Sequence, residues 1–193
     1  MKTFELEGTA RTIAERSSDQ AKALKVLRKN GGVPCVLYGG EKNINFTVKA
    51  TSLRKLVYTP HIYAVKLSID GEPRTAVMKE IQFHPVKDNI LHIDFLEINE
   101  EKPIVMEVPV KLEGLAVGVK AGGKLQQMVR KLKVKAPYTD IPEILTIDVT
   151  SLDLAKSIKV ADLSYEGLEL INPKSTVVCT VKATRASAAA AAQ

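Results

Sequence analysis

The chain has 193 residues and a formal net charge of +6, with 45% hydrophobic and 26% charged residues. This length predicts one large or two modest domains with hydrophobic cores, and the positive charge favours a polyanionic partner. Aromatic residues make up only 5% of the chain and Trp is absent, which argues against base stacking as the main mode of binding.

The hydropathy of the chain and its two cysteines predict the cellular location. No stretch approaches the ~18 apolar residues of a membrane-spanning helix, and the N-terminus lacks the apolar core of a signal peptide. Cys35 and Cys179 lie in separate apolar runs, which predicts buried free thiols in a reducing compartment, with a long-range disulfide as the alternative. We therefore expect a cytoplasmic protein with no membrane partner.

A first strand is predicted from Phe4 to Ile13, with Arg11 on it or just beyond it. Ser17 and Gln20 have the spacing of a capping box, so a helix should begin there, and 30–32 (Asn-Gly-Gly) should end it. Further elements are predicted as strands at 33–38, 44–49, 63–69, 74–81 and 90–95, a short helix at 51–57 and a hairpin turn at 70–73.

The helix carries charge of one sign. At 100° per residue its apolar side holds Ala23, Leu24 and Leu27. The opposite side is basic, with Lys22, Lys25 and Lys29, flanked by Arg28. Because these cations lack acidic partners four residues away, we expect them to face phosphates, although a solvated lysine face is the plain alternative.

The most informative stretch is Gln82-Phe83-His84-Pro85 with the strand Ile90 to Phe95. Leu91, Ile93 and Phe95 alternate with His92 and Asp94, so an imidazole and a carboxylate should stand on the open face of a sheet. The chain has only three histidines, and two of them lie here. The pair predicts a surface that binds a polar partner, unless it is merely a solvated surface pair.

Enzymatic and metal-binding alternatives are weaker. A catalytic triad would need a nucleophile, and no Ser or Cys nucleophile motif lies near. A metal site built on His84, His92 and Asp94 would have an unusual ligand spacing. The stretch 118–124 has the spacing of a nucleotide-binding phosphate loop, but Leu125 stands where a Ser or Thr hydroxyl is needed for Mg²⁺. Neither an enzyme nor a cofactor is therefore expected.

A polar linker predicted at 98–103 separates a domain at 1–97 from a second, β-rich domain at 104–184, and an Ala-rich tail at 185–193 is expected to be disordered. The second domain should have strands at 104–112, 129–136, 144–149, 157–160, 168–171 and 176–183. Pro109 suggests an edge strand or a bulge for the first of them. Residues 1–99 carry 15 basic and 11 acidic side chains (+4), and residues 100–193 carry 13 and 11 (+2).

An ordered series of motifs resembles the bL25 family, the bacterial 5S-rRNA-binding proteins of the large ribosomal subunit, in its longer form of the general stress protein CTC type. The first domain carries Leu27 to Pro34, Tyr38-Gly39, Gln82 to Pro85 and His92 to Phe95. The second carries 114–123, 141–143 and 148–149. The resemblance covers nearly the whole chain except the tail.

The resemblance implies a mainly β fold with short helices (all-β or α+β), in which an N-terminal six-stranded β-barrel binds 5S rRNA. It implies RNA contacts by Arg11, Arg28, Tyr38, His92 and Asp94. With the helix lysines and His84, the predicted RNA-binding set is Arg11, Lys22, Lys25, Arg28, Lys29, Tyr38, His84, His92 and Asp94. Lys29 stands where the family usually has a second Arg, and a lysine cannot clamp a phosphate with two parallel hydrogen bonds.

The function expected from this resemblance is that of a structural, non-enzymatic ribosomal protein in the cytoplasm. Its partners would be 5S rRNA and the large (50S) subunit, including neighbouring 23S rRNA and ribosomal proteins, with no small-molecule substrate. The alternatives are a generic basic RNA-binding protein, a stress-related interaction protein that acts through the second domain, or a hydrolase built on His92 and Asp94.

Overall fold

The computed structural model describes residues 1–12, 17–40, 42–99 and 102–184. The chain divides into two compact units, Met1–Lys102 and Pro103–Gln193. Three features of the sequence fall outside the described residues: Ile13 of the predicted first strand, the middle of the predicted linker, and the predicted tail. Among the described helices, none is long and apolar enough to cross a membrane.

The first unit is a closed barrel of six strands. Their bounds are β1 Lys2–Ala10, β2 Gly32–Tyr38, β3 Ile44–Lys49, β4 Tyr63–Ile69, β5 Glu72–Phe83 and β6 Ile90–Glu97. They follow one another around the barrel as β1-β3-β2-β6-β5-β4, and β4 closes it by pairing in parallel with β1. The predicted six-stranded barrel is confirmed.

Alternation along each strand builds the barrel core. Cys35 and Leu37 of β2, Phe46 of β3 and Ile93 and Phe95 of β6 are all 0% exposed. The rings of Phe46 and Phe95 lie 5.7 Å apart between centroids. Because successive strand residues point to opposite faces, burying these side chains forces their neighbours onto the outer surface of the barrel.

The hairpin between β4 and β5 is tighter than the predicted four-residue turn. Ile69 pairs with Glu72, so only Asp70 and Gly71 form the turn, and both have positive φ (50° and 94°). Positive φ at both central residues is the backbone of a type I′ turn, whose twist matches that of the flanking strands.

Two helices accompany the barrel, α1 Ser17–Lys29 and α2 Ala50–Val57. Leu53 and Leu56 of α2 are buried in the barrel core. In α1 the predicted apolar side is only partly correct, because Leu24 and Leu27 are half-buried but Ala23 is exposed. The side chain of Ser17, needed for the predicted capping box, lies outside the described part of the structure.

Gly31 and Gly32 end α1 and let it pack. Gly31 has a φ of 76°, in the left-handed region that commonly terminates helices. A Cβ atom added to Gly32 would lie 2.9 Å from a methyl carbon of Leu27, so the absence of a side chain there allows α1 to rest directly on β2.

The second unit contains two small sheets and is β-rich, as predicted. Its elements are β7 Ile104–Glu113, α3 Val117–Lys120, β8 Lys124–Gln127, β9 Lys131–Ala136, β10 Leu145–Asp148, β11 Ser157–Lys159, β12 Glu169–Leu170 and β13 Val177–Lys182. One sheet has the order β10-β7-β9-β12 and the other β11-β13-β8. Cys35 of the first unit and Cys179 of the second are both buried free thiols, as the sequence predicted.

The second unit departs from the sequence predictions in two places. Strand β8 was not predicted, since it directly follows a glycine-rich loop and its Lys-Leu-Gln-Gln sequence is mostly polar. Strand β7 is not an edge strand, because it lies between β10 and β9. Pro109 is tolerated because pairing with β9 ends at that residue and pairing with β10 begins at Val110, so the proline lies where one partner replaces the other.

The glycine-rich loop has a packing role. Gly118 is buried in α3, and a Cβ atom added there would lie 2.6 Å from the backbone of Asp153 and Leu154. Gly123 donates its backbone N–H to the carbonyl of Gly118. The glycines therefore let two backbone segments approach closely, which accounts for their spacing without a nucleotide.

Candidate nucleic-acid interface

The outer face of β6 carries a bonded histidine–carboxylate pair. Ile93 and Phe95 point into the core, which turns His92 and Asp94 outward. His92 Nδ1 lies 2.7 Å from Asp94 Oδ1, and their side chains are 24% and 31% exposed. Asp94 therefore accepts a hydrogen bond from Nδ1–H and holds the imidazole ring in one orientation. In the neutral ring Nε2 is left as an acceptor, and in the protonated ring it is a donor.

Leu91 fits the predicted alternation less closely than its neighbours. It is only half-buried, and its backbone carbonyl accepts two hydrogen bonds from Arg28, from Nε at 3.2 Å and from Nη2 at 3.0 Å. Arg28 thus ties the end of α1 to β6, one residue from His92. A guanidinium has five N–H donors, so others stay available for a ligand.

Tyr38 belongs to the same outer face. It ends β2, which pairs in parallel with β6 so that Val36 lies beside Asp94. Burial raises the pKa of the Tyr38 phenol, and the charges of Asp94 and Glu80 raise that pKa further. The phenol is therefore a neutral hydrogen-bond donor and acceptor next to two carboxylates.

Two polar side chains of this face were missed by the sequence analysis. Glu80 and Gln82 of β5 are exposed and lie opposite Asp94 and His92 in the antiparallel register. A β-bulge between Met78 and Glu80 shifts that register. Their outward orientation follows from alternation with Ile81, but their pairing with the His92–Asp94 strand depends on a bulge that no turn motif indicates.

Arg11 lies just past the end of β1, beside β3. Its backbone N–H donates to the Asn45 carbonyl at 2.8 Å. The Nε atom of its side chain is buried and has no hydrogen-bond partner among the described residues. The pKa of the Cys35 thiol is raised to about 12, mainly by burial and to a lesser extent by the charge of Asp94, against the opposing effect of Arg11. Arg11 and Asp94 are therefore both close enough to Cys35 to act on it.

The lysines of α1 project into solvent. Lys22, Lys25 and Lys29 are exposed, and Lys22 lies 4.0 Å from Asp19 in an exposed i,i+3 pair. Such pairs contribute little in water. The helix is anchored beside the His92–Asp94 face by Arg28, so its cations stand at one margin of that face.

His84 lies in the turn between β5 and β6, where its side chain organises the backbone. Its Nδ1 accepts hydrogen bonds from the backbone N–H groups of Val86 at 3.2 Å and Lys87 at 3.3 Å. The structure therefore places His84 in its own turn, apart from the His92–Asp94 pair. No grouping of three or more potential metal-ligating side chains occurs within the described ranges.

Comparison with known proteins identifies both units. Residues 7–95 match the model of the ribosomal L25p family, and residues 103–185 match that of the ribosomal protein TL5, C-terminal domain. The large ribosomal subunit protein bL25 of Bacteroides fragilis is 67% identical over 192 residues, covering 100% of this chain and 98% of that protein. Those of Parabacteroides distasonis and Porphyromonas gingivalis are 59% and 54% identical, over 193 residues each.

These matches span both units at an identity far above that needed to show common ancestry. They agree with the six-stranded barrel of the first unit and the β-rich second unit. The chain therefore belongs to the ribosomal L25p family in its two-domain form, as a non-enzymatic constituent of the large subunit of the bacterial, cytoplasmic ribosome and a partner of ribosomal RNA.

Proposed function

We propose that the chain binds 5S rRNA through the barrel of residues 1–97, with the outer face of β2 and β6 in the minor groove and α1 along the phosphates. The bonded His92–Asp94 pair is the observation that carries this proposal. A carboxylate facing a polyanion is repelled unless it accepts a specific hydrogen bond, so its place on this face favours reading of base amino groups or 2′-hydroxyls.

Shape and charge support the same arrangement. The minor groove of double-helical RNA is wide and shallow, so a sheet face can approach it. Tyr38, His92 and Asp94 offer donors and acceptors that are held by the strands, which lowers the entropic cost of binding. Arg11, Lys22 and Lys25 would neutralise phosphates at the margins.

The proposal is tested by salt-titrated binding of the full chain to 5S rRNA, with an unrelated RNA of similar shape as competitor. Binding that survives the competitor and weakens linearly with log salt supports a specific site. Equal affinity for the two RNAs would reduce the interaction to that of a generic basic surface.

Substitutions on the outer face of β6 test the specific contacts with 5S rRNA. His92→Ala or Asp94→Ala should cost about 1–3 kcal/mol of 5S affinity with the fold intact. Glu5→Ala is the matched control, because it removes the same charge from an exposed position on β1. Wild-type affinity in both face variants would exclude the His92–Asp94 pair from the interface.

Substitutions on helix α1 test the proposed contacts with RNA phosphates. Lys22→Ala should lower the slope of log affinity against log salt by roughly 0.7–0.9, with little change in sequence preference. Lys66→Ala is the control, since Lys66 is exposed on β4, three strands away from β2 around the barrel. Arg28 is unsuitable for this test because its replacement also releases α1 from β6.

A further inference from the structure

The first unit has a second surface with binding properties, an open groove that shares the end of α1 with the margin of the His92–Asp94 face. It runs between the end of α1, the helix α2 and the turn that joins β5 to β6. Its cationic lining consists of Lys25, Arg28, Lys29, Arg54 and Lys87, and Asp88 is the carboxylate among the described lining residues.

Among the described residues, the cations of this groove outnumber its carboxylates. Lys25, Lys29, Arg54 and Lys87 are exposed, and within the described part of the chain none of them forms an ion pair with a carboxylate. In the second unit, by contrast, Lys135 pairs with Glu169 at 3.0 Å. Unpaired cations that converge on one groove favour an anionic occupant.

One aromatic side chain, Tyr58, lines the groove, and Phe83 lies beside it. Tyr58, just after α2, is 62% exposed, and Phe83 at the end of β5 is 42% exposed. Their ring centroids are 6.5 Å apart at an interplanar angle of 52°. Exposed aromatic rings beside unpaired cations are the combination that binds unpaired nucleotides, since bases stack on the rings while cations neutralise the phosphates.

The groove is fixed before any ligand arrives. Arg28 holds α1 against β6 through the Leu91 carbonyl. On the other side, His84 Nδ1 accepts from the backbone of Val86 and Lys87, which fixes the turn that carries the Lys87 cation. Because both sides are held by hydrogen bonds, little conformational entropy is lost when a ligand binds.

We propose that this groove binds an unpaired stretch of ribosomal RNA, with a base stacked on Tyr58 and the adjoining phosphates contacted by Arg54, Lys87 and Lys29. This site goes beyond the 5S-binding face: the two share cations of α1, but Tyr58, Arg54 and Lys87 belong to the groove alone. An acidic protein segment would satisfy the cations, but the exposed aromatic pair beside them favours a nucleic acid.

The test measures binding of the full chain to a fluorescently labelled single-stranded adenine RNA of about ten nucleotides, by anisotropy across a salt series. Tyr58→Ala should weaken binding about tenfold, whereas Tyr58→Phe, which keeps the ring, should bind like the wild type. Arg54→Gln should lower the salt slope by about 0.7, and the control Lys66→Gln should leave it unchanged.

Two results would overturn the inference. One is equal affinity of Tyr58→Ala and wild type. The other is the absence of saturable binding, which would show that the groove does not bind single-stranded RNA. The failure of this inference is distinguishable from the failure of 5S binding. His92→Ala should lose affinity for 5S rRNA and keep its affinity for the single-stranded RNA. Tyr58→Ala should lose affinity for the single-stranded RNA and keep its affinity for 5S rRNA.

Discussion

His92 and Asp94 show how a residue's surroundings decide its role. Either side chain on an exposed strand would be unremarkable, but their contact at 2.7 Å makes them a unit on the barrel surface. Losing one partner leaves the other misoriented, so the effects of removing them should overlap.

A double-mutant cycle on 5S affinity measures that overlap. His92→Ala, Asp94→Ala and the double variant should be non-additive, with a coupling energy of about 0.5–3 kcal/mol. Additive losses would mean that the two side chains contact the RNA independently and that their mutual hydrogen bond has no part in recognition.

Cys35 allows a prediction about reactivity. Burial raises the pKa of its thiol to about 12, and the thiolate is the reactive species, so the native chain should leave Cys35 unmodified by a thiol reagent at pH 8. Full modification should require denaturant. Rapid labelling of Cys35 in the native chain, located by mass spectrometry, would contradict this placement.

The same thiol should make the free energy of unfolding depend on pH. A folded-state pKa above the unfolded value means that the native state holds the proton more tightly. The stabilisation is therefore complete below pH 9 and is lost as the pH rises towards 12. Cys35→Ser should change the slope of unfolding free energy against pH in that range, and an unchanged slope would argue against the effect.

At the scale of elements, the stability of helix α1 depends on the backbone conformation of Gly31, just after its C-terminal end. Gly31 has a φ of 76° and no atom within 4 Å of an added Cβ, so substitution there acts through backbone conformation alone. Gly31→Ala should destabilise the protein by about 1 kcal/mol in urea unfolding, because alanine disfavours left-handed backbone.

Gly31→Asn is the control for that prediction, since asparagine tolerates the left-handed region better. It should cost clearly less than alanine. Equal losses in the two variants would show that something other than backbone conformation limits stability at this position.

The elements also show where sequence patterns are sufficient. Strong alternation located β3 and β4 at their observed bounds, since each has one buried and one exposed face. Strand β8 was not predicted, because its residues are mostly polar and only its pairing with β13 makes it a strand. The sequence likewise could not predict that Pro109 lies in an inner strand, because this depends on where pairing with the two partner strands ends.

At the scale of the whole molecule, each compact unit contains its own buried residues. We therefore expect residues 1–102 to fold alone and to keep 5S affinity within about twofold of the full chain's, because the proposed contacts all lie in that unit. Circular dichroism melting and the same binding assay check both parts. A fragment that folds but binds at least tenfold more weakly would assign part of the interface to the second unit.

From the sequence by itself, alternation and turn residues predicted the β-rich fold, because they are local properties of the chain, while the resemblance to a known family implied the six-stranded barrel and most of the candidate RNA-binding residues. Only the tertiary structure decided the partnerships between remote segments: Arg28 with the Leu91 carbonyl, and Glu80 beside Asp94. It alone brought Tyr58, Arg54 and Lys87 to one groove. These residues are remote or unremarkable in the sequence, and they meet only because strand register and barrel closure bring distant segments together.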